Sequence, residues 1–307
     1  MRVIRHLERS RPRFEHPVVT LGVFDGVHVG HAEILRRVVA AASERGGDPV
    51  LITFHPHPAV VLAPGREPAP IASLADRLAA FRGAGIRTAI VQRFTKEFSQ
   101  VEAETFVART LVGLLGVERV IVGHSVAFGR NRGGNADRLT ELGREHGFEV
   151  EIVGPIIAGE IEVSSSAVRR LLATADLRGA ERLLGRHYGL RGRVVVGKKR
   201  GRTIGFPTAN LRTRVAPLLP DGVYAVTAVA DGAPLRGVAN LGTNPTFGDV
   251  VGRSLEVHLL DFDGDLYGRR LRVEFVERIR GEQRFASIEA LTEQIRRDAA
   301  RAREILA

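Results

Sequence analysis

The sequence of 307 residues contains no cysteine, and aromatic residues make up only 6% of it. Without cysteine there is neither a disulfide nor a thiolate metal site, which fits the expectation of a cytoplasmic protein. No apolar run approaches the roughly 20 residues that a membrane helix needs. The amino-terminal stretch MRVIRHLERSRPRF lacks the apolar core of a secretory signal. Low-complexity blocks and internal repeats are absent as well. What is present is a globular composition, 44% hydrophobic and 26% charged, with a formal net charge of +10. Such a charge suits polyanionic partners, either phosphorylated small molecules or nucleic acid. The length allows two domains, each with its own core.

The first half alternates. Apolar strand patterns at 18–23, 50–54, 87–92, 117–123 and 148–153 are separated by helical patterns near 31–43, 73–82, 99–115 and 136–146. Ser99 and Glu102 have the spacing of a capping box at the start of the third helix. Alternation of this kind predicts a parallel sheet covered on both faces, with ligands at the carboxyl ends of its strands. After about residue 186 the pattern changes to strands at 190–196, 222–230, 235–241, 254–262 and 270–279, with Asp-Gly turns at 221, 231 and 263. Ile288, Leu291, Ile295, Ala302 and Ile305 then mark one closing helix. This half predicts a small antiparallel barrel, joined to the first half by two short helices over 165–186.

Gly22-Val23-Phe24-Asp25-Gly26-Val27-His28-Val29-Gly30-His31 follows a β-branched strand and leads into a helix. Two imidazoles beside the unpaired N–H groups of a helix start form an anion site without a Walker-type loop. Gly30 between them leaves the backbone open to a phosphate. Thr53-Phe54-His55-Pro56-His57-Pro58 leaves the next strand as a rigid turn. Gly123-His124-Ser125 falls at a third strand end, so three loops are expected to line one crevice. Val163-Ser164-Ser165-Ser166-Ala167-Val168-Arg169 combines hydroxyls, helix-start amides and an arginine. It reads either as an ordinary N-cap or as a polyphosphate grip.

In the second half, Gly197-Lys198-Lys199-Arg200 runs into Gly201-Arg202-Thr203-Ile204-Gly205-Phe206-Pro207-Thr208-Ala209-Asn210-Leu211. The run reads as a cationic arch over a triphosphate or as a basic surface for nucleic acid. Thr208 and Asn210 offer neutral oxygens of the kind Mg²⁺ accepts beside phosphates. Strand alternation in Leu255-Glu256-Val257-His258-Leu259 puts Glu256 and His258 on one face, opposite the apolar residues.

Taken together, in this order and over nearly the whole chain, these segments resemble the bifunctional bacterial riboflavin kinase/FAD synthetases. The resemblance implies an FMN adenylyltransferase domain over 1–186, Rossmann-like in fold, and a riboflavin kinase barrel over 187–307. In the first it implies catalysis by His28 and His31, with ATP bound by Gly22, Phe24, Asp25, Gly30, Ser164, Ser165, Ser166 and Arg169. Pro56, His57, Pro58, Ser125 and Phe128 would line the flavin and nucleotide crevice. His55 departs from a position that is often acidic in the family, and Ser125-Val126 from a stretch that usually carries an acidic or amide residue and an aromatic. In the kinase domain it implies ATP binding by Gly197, Lys198, Gly201, Arg202, Gly205, Pro207, Thr208 and Asn210, with Mg²⁺ at Thr208 and Asn210. Glu256 would be the base for the riboflavin 5′-hydroxyl. Gly237–Phe247 (GVANLGTNPTF) and Arg280–Phe285 (RGEQRF) complete the match. The expected substrates and products are riboflavin, FMN, ATP and FAD, with Mg²⁺ as cofactor and neither nucleic acid nor membrane as partner. Two other readings stand beside this one. One is a kinase alone, with adenylyl transfer impaired by the change at Ser125-Val126. The other is a basic nucleic-acid-binding protein, against which the lack of aromatic stacking residues near the basic run argues.

Overall fold

The computed structural model describes residues 1–197, 201, 204–230, 232–243 and 253–307. They form two compact units, Met1–Ser164 and Ser165–Ala307.

The first unit is built on a six-stranded parallel sheet in the order β1-β4-β3-β2-β5-β6. The strands are β1 (Arg2–Ile4), β2 (Val18–Leu21), β3 (Pro49–His55), β4 (Thr88–Arg93), β5 (Arg119–Gly123) and β6 (Glu149–Val153). All four residues of β2 are buried, as expected of a central strand covered on both faces. Val19 and Leu21 face one apolar cluster, with Phe106, Leu111, Leu139 and Leu142. Val18 faces the other, with Leu35, Val38 and Phe81. Helices α2 (Val29–Glu44) and α4 (Leu74–Gly83) supply the second cluster. Helices α1 (Leu7–Ser10), α5 (Ala103–Phe106) and α6 (Ala136–His146) supply part of the first, and α3 (Pro58–Leu62) follows β3. The chain steps from β2 outward through β3 to β4, then returns to the other side of β2 at β5. That reversal opens a crevice at the carboxyl ends of β2 and β5.

Two local expectations change. The capping box at Ser99 does not form: Ser99 lies in a 3₁₀ turn, Phe98–Gln100, and its hydroxyl donates to the Lys96 carbonyl at 2.6 Å. The helix starts instead at Ala103 and passes into a π-helical segment, Val107–Leu114. Edge strand β1 is too short to give a periodic signal of its own.

The second unit begins with α7 (Ser165–Ala173) and α8 (Leu177–Leu184), and α8 packs on the barrel strands β9 and β14. The barrel is closed and antiparallel, in the order β10-β13-β12-β11-β14-β9. Its strands are β9 (Tyr188–Val195), β10 (Ala209–Thr213), β11 (Gly222–Ala230), β12 (Ala233–Thr243), β13 (Arg253–Leu259) and β14 (Arg270–Arg280). A two-stranded ribbon, β7 (Ile157–Ala158) and β8 (Ile161–Glu162), precedes it in the first unit. Tyr224 and Phe275 fill the barrel interior edge to face, with ring centroids 5.5 Å apart. Helix α9 (Ile288–Ile305) closes against β11, β12 and β14.

Candidate active sites

The histidine turn leaves β2 at the topological switch. His28 is the N-cap of α2, and its Nδ1 accepts the His31 backbone N–H at 3.3 Å. The acceptor role fixes the neutral tautomer, with the proton on Nε2. The two rings stack with centroids 3.5 Å apart and planes 16° apart. A Cβ on Gly30 would stand 3.3 Å from the His28 ring, so the glycine makes room for the stack. The Nδ1 of His31 is sealed from solvent and has no hydrogen-bond partner among the described residues, although the residue reaches the surface in part. Burial first, then the neighbouring His28 and Arg77, hold the His31 pKa well below the usual imidazole range.

The other residues expected here have more specific places. Phe24 is buried, edge-on to His31 at 5.1 Å and to Phe81 at 5.7 Å, and so braces the His31 ring. The Asp25 carboxylate is buried and accepts the backbone N–H groups of Ile71 (3.0 Å) and Ala72 (3.2 Å). A Cβ on Gly22 would meet the Phe24 ring at 3.1 Å. Phe24 and Val27 both take positive φ, 54° and 44°. Non-glycine residues in that region cost about 1–3 kcal/mol each and persist where surrounding contacts hold them.

Arg77, which sequence reasoning did not single out, supplies one of those contacts. It is buried on α4, and its Nη1 donates to the Val23 carbonyl and, at 3.2 Å, to the Thr53 hydroxyl. Thr53 donates in turn to the same carbonyl at 3.1 Å. No composition or spacing signal marks such an arginine; an amphipathic helix carries arginine on its wet face as a rule.

Beyond Thr53 the chain turns through a cis His55–Pro56 bond, and His57 caps α3 by accepting the Ala59 N–H at 3.1 Å, with Pro58 in its first turn. Burial, then Arg77 and Arg5, push the exposed-edge His55 down. Ser125 lies exposed beyond β5, whereas Phe128 is buried against Phe106 at 5.9 Å. The departure at Ser125-Val126 leaves the loop anchored: Val126 donates to the Gly123 carbonyl, and Phe128 and Gly134 exchange backbone bonds at 3.0 and 2.9 Å. Ile156 approaches the Gly30 position at 3.9 Å, and the Val163 N–H bonds its carbonyl, which leads the chain to Ser164 at the end of this unit. Ser165, Ser166 and Arg169 open α7 in the next.

In the barrel, Thr208 Oγ1 donates to Glu256 Oε2 at 3.2 Å. Asn210 on β10 and Asn240 on β12 stand directly across from Glu256 on the two flanking strands. Their strand neighbours Leu211, Ala239, Leu241, Leu255 and Val257 are buried, so this polar row lies on the outer face of the barrel. Asn240 carries no signal in the sequence, because only strand pairing places it in the row. His258 Nδ1 donates to the Pro207 carbonyl at 2.9 Å, and its ring meets Phe206 edge-on at 5.3 Å. That contact fixes the start of β10. Gly201 has no room for a side chain against the Phe206 carbonyl, nor Gly197 against the Asn210 amide, while Gly205 takes φ 83°. Lys198, Arg202 and residues 244–247 lie outside the described residues.

The donor set at Thr208 and Asn210 suits a magnesium ion that arrives with a triphosphate, since hard neutral oxygens complete a shell made mainly of phosphate and water. Among the described residues no cluster of three His, Asp or Glu side chains could hold a metal alone. None of their helices is long and apolar enough to cross a membrane.

Comparison with known proteins agrees with this arrangement. The FAD synthetase family model matches residues 10–167, and the riboflavin kinase family model matches residues 184–306. A bifunctional riboflavin kinase/FMN adenylyltransferase of Pseudomonas fluorescens is 43% identical over 309 residues, covering 100% of this chain and 98% of its own. Its namesake in Escherichia coli K12 is 40% identical, with 99% and 97% covered. The Bacillus subtilis one is 36% identical, with 92% and 90% covered. A crystal structure from Streptococcus pneumoniae, described as a macrolide-efflux protein, matches with TM-score 0.84 at 30% identity, and 98% of each chain is covered. With both family models matched in order and relatives aligned from end to end, the chain belongs to the bifunctional riboflavin kinase/FMN adenylyltransferase family.

Proposed function

We propose that the chain makes FAD in two consecutive transfers, each on its own domain, with the functional boundary at residues 186/187. The barrel moves the γ-phosphate of ATP to riboflavin, giving FMN and ADP. The first domain joins FMN to the adenylyl group of a second ATP, giving FAD and pyrophosphate. The observation that carries this reading is the contrast between the two sites. The barrel pairs a carboxylate with a hydroxyl, Glu256 with Thr208, and the sheet domain offers stacked imidazoles at a helix start.

The difference follows from the nucleophiles. A 5′-hydroxyl must lose its proton as it attacks, and Glu256 is the base that takes it. The FMN phosphate is already an anion and needs no base. His28 and His31 therefore serve by donating to the α-phosphate as charge develops there, with the amino end of α2 behind them. Gly22, Phe24, Asp25 and Gly30 hold that turn, and Ser164, Ser165, Ser166 and Arg169 grip the triphosphate. Pro56, His57, Pro58, Ser125 and Phe128 shape the flavin and nucleotide crevice. In the barrel, Gly197, Lys198, Gly201, Arg202, Gly205 and Pro207 wrap the ATP, and Thr208 and Asn210 would hold Mg²⁺. The ion, when bound, neutralises triphosphate charge. The protein is read as cytoplasmic.

Chromatography of riboflavin incubated with ATP and Mg²⁺ tests the reading. FMN should accumulate first and FAD follow. FMN that never proceeds to FAD removes the first domain's activity, and unchanged riboflavin removes both.

A further inference from the structure

We propose that Arg77 is a positioning residue for adenylyl transfer, holding the end of β2 to the end of β3 and so fixing the histidine turn beside the turn at His55–Pro58. The inference rests on reading the first domain as the adenylyltransferase.

A buried guanidinium is an expensive way to fill space, and an apolar side chain of similar volume would pack there more readily. Arg77 is buried, and its Nε has no hydrogen-bond partner among the described residues, so packing does not account for it. Its other contacts are directed. Nη1 reaches the Val23 carbonyl, one residue before the strained Phe24, and the Thr53 hydroxyl, two residues before His55. The same short segment grips the turn elsewhere. Ile71 and Ala72 donate to Asp25, the Ile71 side chain fills the space a Gly26 Cβ would need (3.0 Å), and Phe81 packs on Phe24. The segment from Ile71 to Phe81 is thus a backing plate for the catalytic turn, and Arg77 is the part of it that also reaches β3. Its charge adds a second effect. Asp25 is its favourable neighbour, and with His28 it disfavours protonation of His31, as it does with Arg5 for His55. His31 is thereby kept neutral, able to donate to a phosphate without a charge against the His28 ring stacked on it.

One nitrogen makes both contacts, so a lysine ammonium can take its place, whereas methionine keeps the volume and loses charge and donor. The full chain carries its own control, because riboflavin phosphorylation reads the other domain. Arg77→Met is expected to lower kcat for FAD formation from FMN and ATP by about 10- to 100-fold. The KM for FMN should change less than about 3-fold and riboflavin phosphorylation should be unaltered, since the substrate contacts and the barrel are untouched. Arg77→Lys should recover most of the loss. In histidine NMR, His31 of the methionine variant should titrate at higher pH than in the wild type, and in the lysine variant as in the wild type. A purely structural arginine would lower the unfolding temperature and leave the titration and the kcat of folded protein in place. That result overturns the proposal, as does a lysine variant no more active than the methionine one. Should Arg77→Met fail to fold, Thr53→Val leaves the guanidinium in place and deletes the hydroxyl that ties it to β3 and that itself donates to the Val23 carbonyl, both being links between the ends of β2 and β3. A kcat lowered at least about 3-fold then supports the role, and an unchanged kcat overturns it. A wild-type protein that makes FMN but no FAD shows instead that the adenylyltransferase reading itself fails.

Discussion

The backbone N–H of His31 donates to Nδ1 of His28 while their rings stack at 3.5 Å, so a single side chain both caps α2 and presents a donor at its amino end. The two roles separate by substitution. His28→Ala removes both, at a cost of about 0.5–2 kcal/mol for the lost cap. His28→Asn keeps an N-cap acceptor and loses the imidazole donor. Both variants should lose FAD formation by about 10²- to 10³-fold. Only the alanine variant should unfold at lower temperature, and both should phosphorylate riboflavin normally. An asparagine variant with full adenylyl transfer would show that capping is the whole of the His28 contribution.

The depressed pKa of His31 makes the first domain's stability depend on pH in a definite direction. The unfolded chain binds a proton at this residue near pH 6.5 and the native state only at lower pH, so stability rises with pH between those values. The native advantage is complete above about pH 6.5 and drains away as acid is added. Thermal unfolding followed from pH 7.5 to pH 5 should show this decline, and it should be smaller in His31→Asn. Burial comes first, and His28 and Arg77 are the neighbours that deepen the depression. An equal decline in the asparagine variant would assign the acid sensitivity elsewhere.

Gly30→Ala sets helix propensity against packing. Alanine in place of glycine near a helix start favours the helix by up to about 1 kcal/mol. Its methyl, however, would press within 3.3 Å of the His28 ring. The expected outcome is a domain as stable as before, or more so, with FAD formation reduced about 10-fold or more because the ring is displaced from its stack. Parallel loss of stability and activity would mean that the turn as a whole had shifted.

In the barrel, Glu256→Gln preserves the side-chain shape and can still meet the Thr208 hydroxyl, and it removes the proton acceptor. Riboflavin phosphorylation should fall by about 10²- to 10⁴-fold, while FAD formation from supplied FMN continues at the wild-type rate. Equal losses in both reactions with the fold intact would argue against two independent sites.

Where a residue's neighbours are close in sequence, its place is legible in the sequence alone. The alternating first half, the histidine turn at a strand end and the antiparallel second half all rest on local periodicity and turn chemistry. The misread capping box has another cause. The spacing of Ser99 and Glu102 is right for a capping box, but a hydroxyl has several carbonyls in reach, and Lys96 captures it. Long-range contacts are not legible this way: Phe128 also packs into the aromatic cluster with Phe106. The Asp25 carboxylate is engaged with amides 46 and 47 residues away. Arg77 and Asn240 owe their positions to strand pairing and helix docking, which no window of sequence contains.

Arg280 and Asp298 form a two-nitrogen ion pair between the end of β14 and α9, with contacts of 2.8–3.0 Å, and the Asp298 side chain is only 4% exposed. Gln294 adds a third donor to the carboxylate at 2.9 Å, and Phe285 lies 5.7 Å from the guanidinium. A pair this enclosed contributes little when compared with a well-packed apolar substitute, but removing one member strands the other charge. Asp298→Ala should therefore destabilise the barrel by about 3–5 kcal/mol. The double variant Asp298→Leu, Arg280→Met should recover much of that loss, since no charge is left unpaired. Scanning calorimetry of the full chain reads both variants. The transition of the second unit should move and that of the first should stay, because no residue of the sheet domain enters the pair. A double variant no more stable than Asp298→Ala would mean that the bidentate geometry itself, and not the avoidance of a stranded charge, secures α9 to the barrel.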